Sequence, residues 1–242
     1  MKLKILVFLC VFFPGARLFA QAVDPIITIT DNPGSYSMHI CSDGDFYYTV
    51  NGGVAKDGKI SKFKLDGQFV KSFPINQDMR SIMYCKKDNS LYINIKGKDI
   101  YKIIDIANGT IELVLTGIYE NEQTTLAIDP QGKVFYGMDG GTLTIYNAKT
   151  GKVEKKISGL KCGSKGMKGS TTVAVDNKYL YTWDADTKTV YVYTKDGAFK
   201  KSFVLKSGTI GHSLSVAYGL VFVAKSEMGK PASWYGYKLA VK

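Results

Sequence analysis

Two histidines, His39 and His212, are the only imidazoles in a chain of 242 residues. Together they could begin a metal site, and each could equally be a lone histidine satisfied by hydrogen bonds. The carboxylates Glu122, Asp139, Asp184 and Glu227 could flank a glycosidic bond if two of them stood about 5–10 Å apart. Trp183, beside Asp184, could offer an aromatic face to a sugar ring or planar ligand, but packing between elements is the favoured reading. Trp234 and Tyr235 carry the same pair of readings. From Gly163 to Gly169, with Lys165 and Lys168, a Gly/Ser/Lys stretch could present backbone N–H groups and ammonium groups to an anion. It lacks phosphate-loop spacing and a following helix, and a flexible loop is the competing reading. The formal charge is +11, and about +8 once Lys2, Lys4 and Arg17 are set aside. That balance suits an acidic partner such as an anionic polysaccharide, or simply a solvated surface. Nucleic acid is not expected, because the lysines are dispersed and no nucleic-acid motif accompanies them.

Elements must hold these groups in place, and the composition says which kind. The 25 Gly and 16 Tyr against 6 Pro favour strands and tight turns over helices. Five segments open on apolar and aromatic residues: Phe46-Tyr47-Tyr48, Leu91-Tyr92-Ile93, Val134-Phe135-Tyr136, Leu180-Tyr181-Thr182 and Leu220-Val221-Phe222. Their starts are 45, 43, 46 and 40 residues apart. A shorter apolar strand precedes each, a third strand follows, and a Gly-containing turn such as Asp66-Gly67 or Asp196-Gly197 leads to a fourth. Four antiparallel strands per unit of this length predict a β-propeller blade. The stretch 23–242 then holds five blades of about 44 residues. The fifth unit lacks its fourth strand, and Ile26–Thr30 precedes the first unit without a partner. Pairing the two closes the ring and removes exposed sheet edges. The fold class is therefore all-β, a five-bladed propeller closed by the N-terminal strand. A β-sandwich of hairpins is the alternative, and it explains neither the period nor the unpaired strand.

The run from Asp43-Gly44-Asp45-Phe46-Tyr47 through Gly58–Phe63 to Asp66–Phe73 resembles an NHL-type repeat, as does Val190–Phe203. Asn147-Ala148-Lys149-Thr150-Gly151-Lys152-Val153 is similar to YVTN-like and quinoprotein-like repeats. The resemblance covers most of 23–242 as a pattern. It implies the propeller architecture, with the face carrying the starts of the innermost strands as the usual binding face, and it leaves function open among enzymes, ligand binders and scaffolds.

Aligning the inner strands by their apolar positions places Tyr36, Arg80, Thr124, Thr171 and His212 at the axial mouth. Ser37, Ser81, Thr125, Thr172 and Ser213 follow one step deeper. These repeated hydroxyls can bond the neighbouring blade or face a ligand. Loops around the mouth add Asn51, Lys96, Lys98, Asp139, Asp184, Asp186, Lys225 and Glu227. With Trp183 nearby, the expected ligand-binding set is Tyr36, Arg80, Thr124, Thr171, Trp183 and His212. His39 falls three positions deeper than His212, about 10 Å at ~3.3 Å per residue, too far for both to ligate one ion. No metal and no cofactor is expected, and catalytic residues are left open.

Three classes follow: a ligand-binding or protein-interaction module acting through the axial mouth, a metal-dependent lactonase or lyase, and a glycoside hydrolase. The absence of carboxylates in the mouth row favours the first. Its partners would be a small molecule, a glycan or a protein, with oligomeric state unspecified.

Residues 1–22 read as a signal peptide. Met1–Lys4 is basic, Ile5–Phe13 is apolar throughout, and Ala20-Gln21-Ala22 supplies the small-x-small cleavage pattern. The apolar run reaches only about 14 Å as a helix, against the ~30 Å of a membrane core. A retained anchor is the competing reading, and no other stretch is long enough to span. Residues 23–242 are expected as one domain, exported to the periplasm or the outside. Cys41, Cys85 and Cys162 are expected free. The apolar alignment gives Cys41 and Cys85 equivalent places on adjacent blades, pointing the same way around the ring rather than at each other.

Overall fold

The computed structural model describes residues 22–97, 99–118, 121–166 and 168–241. The expected signal segment lies outside them except for Ala22, and so does Lys98. Strand β1 (Ile27–Asp31) precedes blade 1, which is β2 (Tyr36–Ser42), β3 (Phe46–Gly52), β4 (Lys59–Lys64) and β5 (Phe69–Pro74). Blade 2 is β6 (Met79–Cys85), β7 (Ser90–Ile95), β8 (Asp99–Asp105) and β9 (Thr110–Leu115). Blade 3 is β10 (Leu126–Ile128), β11 (Val134–Asp139), β12 (Thr142–Asn147) and β13 (Val153–Ile157). Blade 4 is β14 (Ala174–Val175), β15 (Tyr179–Asp184), β16 (Thr189–Thr194) and β17 (Phe199–Val204). Blade 5 is β18 (Ser215–Ala217), β19 (Leu220–Lys225), β20 (Ala232–Tyr237) and, as its outer strand, β1. All pairings within the blades are antiparallel, so the fold is a five-bladed β-propeller and not a sandwich of hairpins.

The closing strand pairs as its apolar residues require. Ile27 lies opposite Gly236 and Ile29 opposite Trp234. A Cβ on Gly236 would come within 2.6 Å of Ile27 Cγ2 and 2.7 Å of Phe222 Cε1, so only glycine lets the three strands meet. Upstream, the Val23 N–H donates to Val204 O at 2.8 Å and its carbonyl accepts from the Lys206 N–H at 3.1 Å, which carries the N-terminal segment onto blade 4.

Apolar side chains on the two faces of each blade form five clusters, one at each junction between neighbours. Ile29, Ile40, Tyr47, Phe63, Phe222 and Trp234 fill the junction of blades 5 and 1. Tyr181, Trp183, Val190, Val223 and Tyr237 fill that of blades 4 and 5. Burying each such side chain contributes roughly 1.5–3 kcal/mol, so the ring is held by blade-on-blade contact rather than by a central core. Within blades, the hairpins between first and second strands are set by aspartates. Asp43 Oδ1 accepts from the N–H groups of Asp45 and Phe46 at 2.8 Å, and Asp176 Oδ1 from those of Lys178 and Tyr179 at 2.7 Å. Among the described residues, no helix is long and apolar enough to cross a membrane.

Candidate functional site

Four of the expected mouth residues meet where the inner strands begin, and they are buried there. The Arg80 guanidinium pairs with Asp78, with Nη2 at 3.1 Å from Oδ2 and Nη1 bonded to the other oxygen, and Nη1 also reaches Met79 O at 3.3 Å. Asp78 also accepts from the Gly53 N–H at 2.6 Å. His212 sits in a single 3-10 turn, Gly211–Ser213, with Nδ1 at 3.2 Å from the Thr171 hydroxyl. Burial, assisted by the nearby Arg80 charge, lowers its pKa to about 4. The Thr124 hydroxyl donates to Met138 O at 3.4 Å.

One step deeper, the hydroxyls join blade to blade. Thr125 donates to Thr172 Oγ1 at 2.7 Å, and Ser81 Oγ accepts from the Leu126 N–H at 3.2 Å. Farther along the inner strand of blade 5, Ser215 Oγ accepts from the Ile40 N–H at 3.2 Å. Trp183 is 0% exposed between blades 4 and 5 and presents no face to a ligand. The loop charges at this end pair locally, Lys168 with Asp186 at 2.6 Å and Asn121 with Asp139 at 3.0 Å. This end of the channel is closed.

Strand register moves one member of the expected set. The tyrosine hydroxyls of Tyr48, Tyr92 and Tyr181 donate to Asp43, Asp88 and Asp176, which fixes equivalent places on the second strands. Their inner-strand partners are Cys41, Met83 and Ala174, with Ala127 opposite Tyr136 in blade 3. Counting back two residues gives His39, Ser81, Thr125 and Thr172. Blade 5, where Ser215 faces Phe222, gives Ser213. Blade 1 is therefore shifted by two residues from the apolar alignment. Met38, not Tyr36, shares a row with Arg80, Thr124, Thr171 and His212, and His39 stands in the hydroxyl row one step from the level of His212, not three. The cause is that β2 continues past Met38-His39-Ile40 to Cys41 and Ser42, so an apolar alignment puts Met38 where Ile40 is the counterpart of Ile82. Cys41 and Cys85 are accordingly not equivalent. Cys41 packs toward blade 2 and Cys85 toward blade 3, and both are free, as is Cys162. Burial raises the pKa of both thiols, which disfavours the thiolate.

The opposite end of the channel is open. A cavity of about 450 Å³ lies where the inner strands finish, and all five blades line it. That volume is within the range of small-molecule sites. Its walls are apolar, with Ile82, Met83, Ile128, Val175 and Val216, and it exists because Ala127, Ala174 and Ala217 supply so little side chain. Asp43, Tyr84, Lys86, Asp176 and Tyr218 form the rim.

His39, also part of the lining, is 5% exposed. Its Nδ1 lies 2.8 Å from Ile82 O. A carbonyl only accepts, so Nδ1 carries the proton. Burial lowers the pKa to about 4, and the ring is neutral near pH 7. Nε2 therefore bears a lone pair, and it is buried without a partner. A buried acceptor left unpaired costs roughly 1–3 kcal/mol. The atom itself is covered, so a donor would reach it only if the His39 ring or its neighbours shifted to expose it. Among the described residues, no three His, Cys, Asp or Glu side chains gather as a metal site. The sequence named His39, but the slipped register removed it from the candidate set. The inner-strand alanines were the signal that a cavity stood beside it.

No protein-family model matches the chain, and no curated protein matches it. Among solved structures, the crystal structure of Myxococcus xanthus glutaminyl cyclase is similar, with a TM-score of 0.64 and 11% identity over 92% of this chain and 100% of that one. Apo AztD from Citrobacter koseri overlaps at a TM-score of 0.39 and 12% identity, over 72% of this chain and 48% of that one. At this identity the likeness to the cyclase concerns the fold.

Proposed function

We propose that the protein is a binding module that takes a small, largely apolar molecule with one N–H or O–H donor into the axial cavity. One observation carries the reading, the neutral and unpartnered Nε2 of His39, a residue that lines a chamber with apolar walls and a polar rim, which a small shift of the ring would bring to a ligand. A ligand donor would restore the hydrogen bond this atom gives up on folding, worth about 1–1.5 kcal/mol, or roughly five- to tenfold in affinity. The closed end serves as the floor that keeps the chamber from opening through the ring.

Isothermal titration with indole and 1-methylindole tests this, because the two differ in the N–H. Indole should bind the wild type about five- to tenfold more tightly, and His39→Phe should bring the two to the same affinity. No binding of either at millimolar concentration, or equal affinities in the wild type, would overturn the reading.

A second reading keeps the cavity and adds chemistry. The neutral Nε2 is suited to accept a proton from a bound substrate, and the similar solved structure is by its title an enzyme, glutaminyl cyclase. It calls for turnover of a glutaminyl substrate that His39→Phe abolishes, and an inactive wild type would remove it. We also read the chain as exported, from the basic, apolar and small-residue pattern of residues 1–22, and its repeats as NHL-like, from their turn pattern. N-terminal sequencing of the protein recovered from its cells should find Gln21 or Val23 first.

A further inference from the structure

Four blades place an aspartate in the hairpin between their first and second strands. Asp43, Asp129 and Asp176 accept backbone N–H groups of their own turns, and Asp88 holds the Tyr92 hydroxyl at 2.6 Å. Blade 5 has none. Between β18 and β19 stand only Tyr218 and Gly219, with φ of 50° and 73°. A two-residue hairpin loop with both residues at positive φ is the setting in which Asn-Gly is preferred. A tyrosine there is strained, because the left-handed region brings its Cβ against backbone oxygen. Burial does not compensate it. Tyr218 is 58% exposed, and among the described residues its one ring contact is an edge-on approach to Tyr47 at 6.3 Å. Its place is the rim of the axial cavity.

A strained and exposed residue at the mouth of a chamber that His39 also lines calls for a functional reason. We propose that Tyr218 is the aromatic wall on which the ligand lies, so that the cavity selects a planar ring carrying the N–H or O–H donor. The proposal rests on the reading of the cavity given above. It adds shape to the donor requirement: His39 reads the hydrogen, and Tyr218 reads flatness by offset stacking.

Phenol and cyclohexanol separate the two, since both carry one O–H on a six-membered ring and only phenol is planar. The wild type should bind phenol more tightly. Tyr218→Asn should weaken phenol about three- to tenfold and leave cyclohexanol within about twofold, whereas Tyr218→Phe should keep the wild-type preference. Because asparagine tolerates positive φ, Tyr218→Asn should also raise the Tm by roughly 2–4 °C. A lowered Tm would mean that the ring is there to pack on Tyr47, and equal losses for phenol and cyclohexanol would mean that it does not read shape. Either result overturns the proposal. If indole binds through His39 while Tyr218→Asn binds phenol as well as the wild type does, only the role of Tyr218 fails. If neither indole nor phenol binds the wild type, the cavity reading fails, and this one with it.

Discussion

The two ends of the axial channel are made by the same five inner strands, yet one is filled by side chains and the other holds a chamber, and buried polar atoms without partners occur at both, Arg80 Nε and Ser37 Oγ at the first and His39 Nε2 beside the second. Where the strands begin, Arg80 is paired with Asp78, His212 meets Thr171, and hydroxyls tie blade to blade. Where they end, alanines leave a chamber, and one imidazole nitrogen in its lining has no partner. The repeat builds the closed end, and departures from the repeat build the open one. Four blades have a hydroxyl where blade 1 has His39, and four have an aspartate turn where blade 5 has Tyr218. The two exceptions fall on the first and last blades, His39 bonded toward blade 2 and Tyr218 meeting Tyr47 of blade 1 at the junction of blades 5 and 1.

The sharpest way to break this contrast is to open the closed end. Arg80→Ala strands Asp78 beside buried surface and should lower stability by about 3–5 kcal/mol in urea denaturation, with indole affinity unchanged. A large loss of binding would mean that the two ends are not separable.

Acidification acts on both ends at once. His39 and His212 each have a folded pKa of about 4 against 6.5. Between those values the unfolded chain binds more protons than the folded one. Stability should therefore be full above about pH 6.5 and fall as the pH drops toward 4, by about 3 kcal/mol per histidine. His39→Phe should halve that slope, and an unaltered slope would place the titration elsewhere.

Thr172→Val keeps the shape and removes the acceptor of the Thr125 hydroxyl. It should cost about 1 kcal/mol by thermal unfolding without touching the cavity. The smallest effect is expected at the open end itself. At pH 7, His39→Phe exchanges one hydrogen bond for relief of an unpaired acceptor, so its stability should stay within about 1 kcal/mol of wild type even as the donor preference disappears. A loss as large as that for Arg80→Ala would make His39 a structural residue.

The architecture was legible because its signals are local and repeated: apolar strand openings at a steady spacing, Gly turns, and an Ile26–Thr30 segment with nothing to pair with. Blade-to-blade packing of Trp183 was readable for the same reason, as one of two outcomes. The site was harder to read. Met38 and Ile82 look alike in an apolar alignment, and only the pairing of Cys41 with Tyr48 and Met83 with Tyr92 shows that Ile40 is the true counterpart of Ile82. A cavity is volume that side chains do not fill, so it is written in the small size of Ala127, Ala174 and Ala217 rather than in any reactive group. The strain at Tyr218 is a backbone angle, visible in sequence only as a tyrosine where an asparagine would be expected.

The seam between β1 and β20 also orders events in time. Ile29 is made long before Trp234, yet they face each other. Blades 1 to 4 can each zip up from neighbouring hairpins as they leave the ribosome, while the strand that completes blade 5 waits for all four of them and for β18 to β20. Ring closure is thus the contact of greatest sequence separation and the natural slow step of folding. All five blades line the chamber, so it takes its final form only when the last blade docks. A circular permutant that joins residue 241 to residue 22 and opens the chain between two other blades would make that pairing local. It should close faster and leave the mature chamber unchanged.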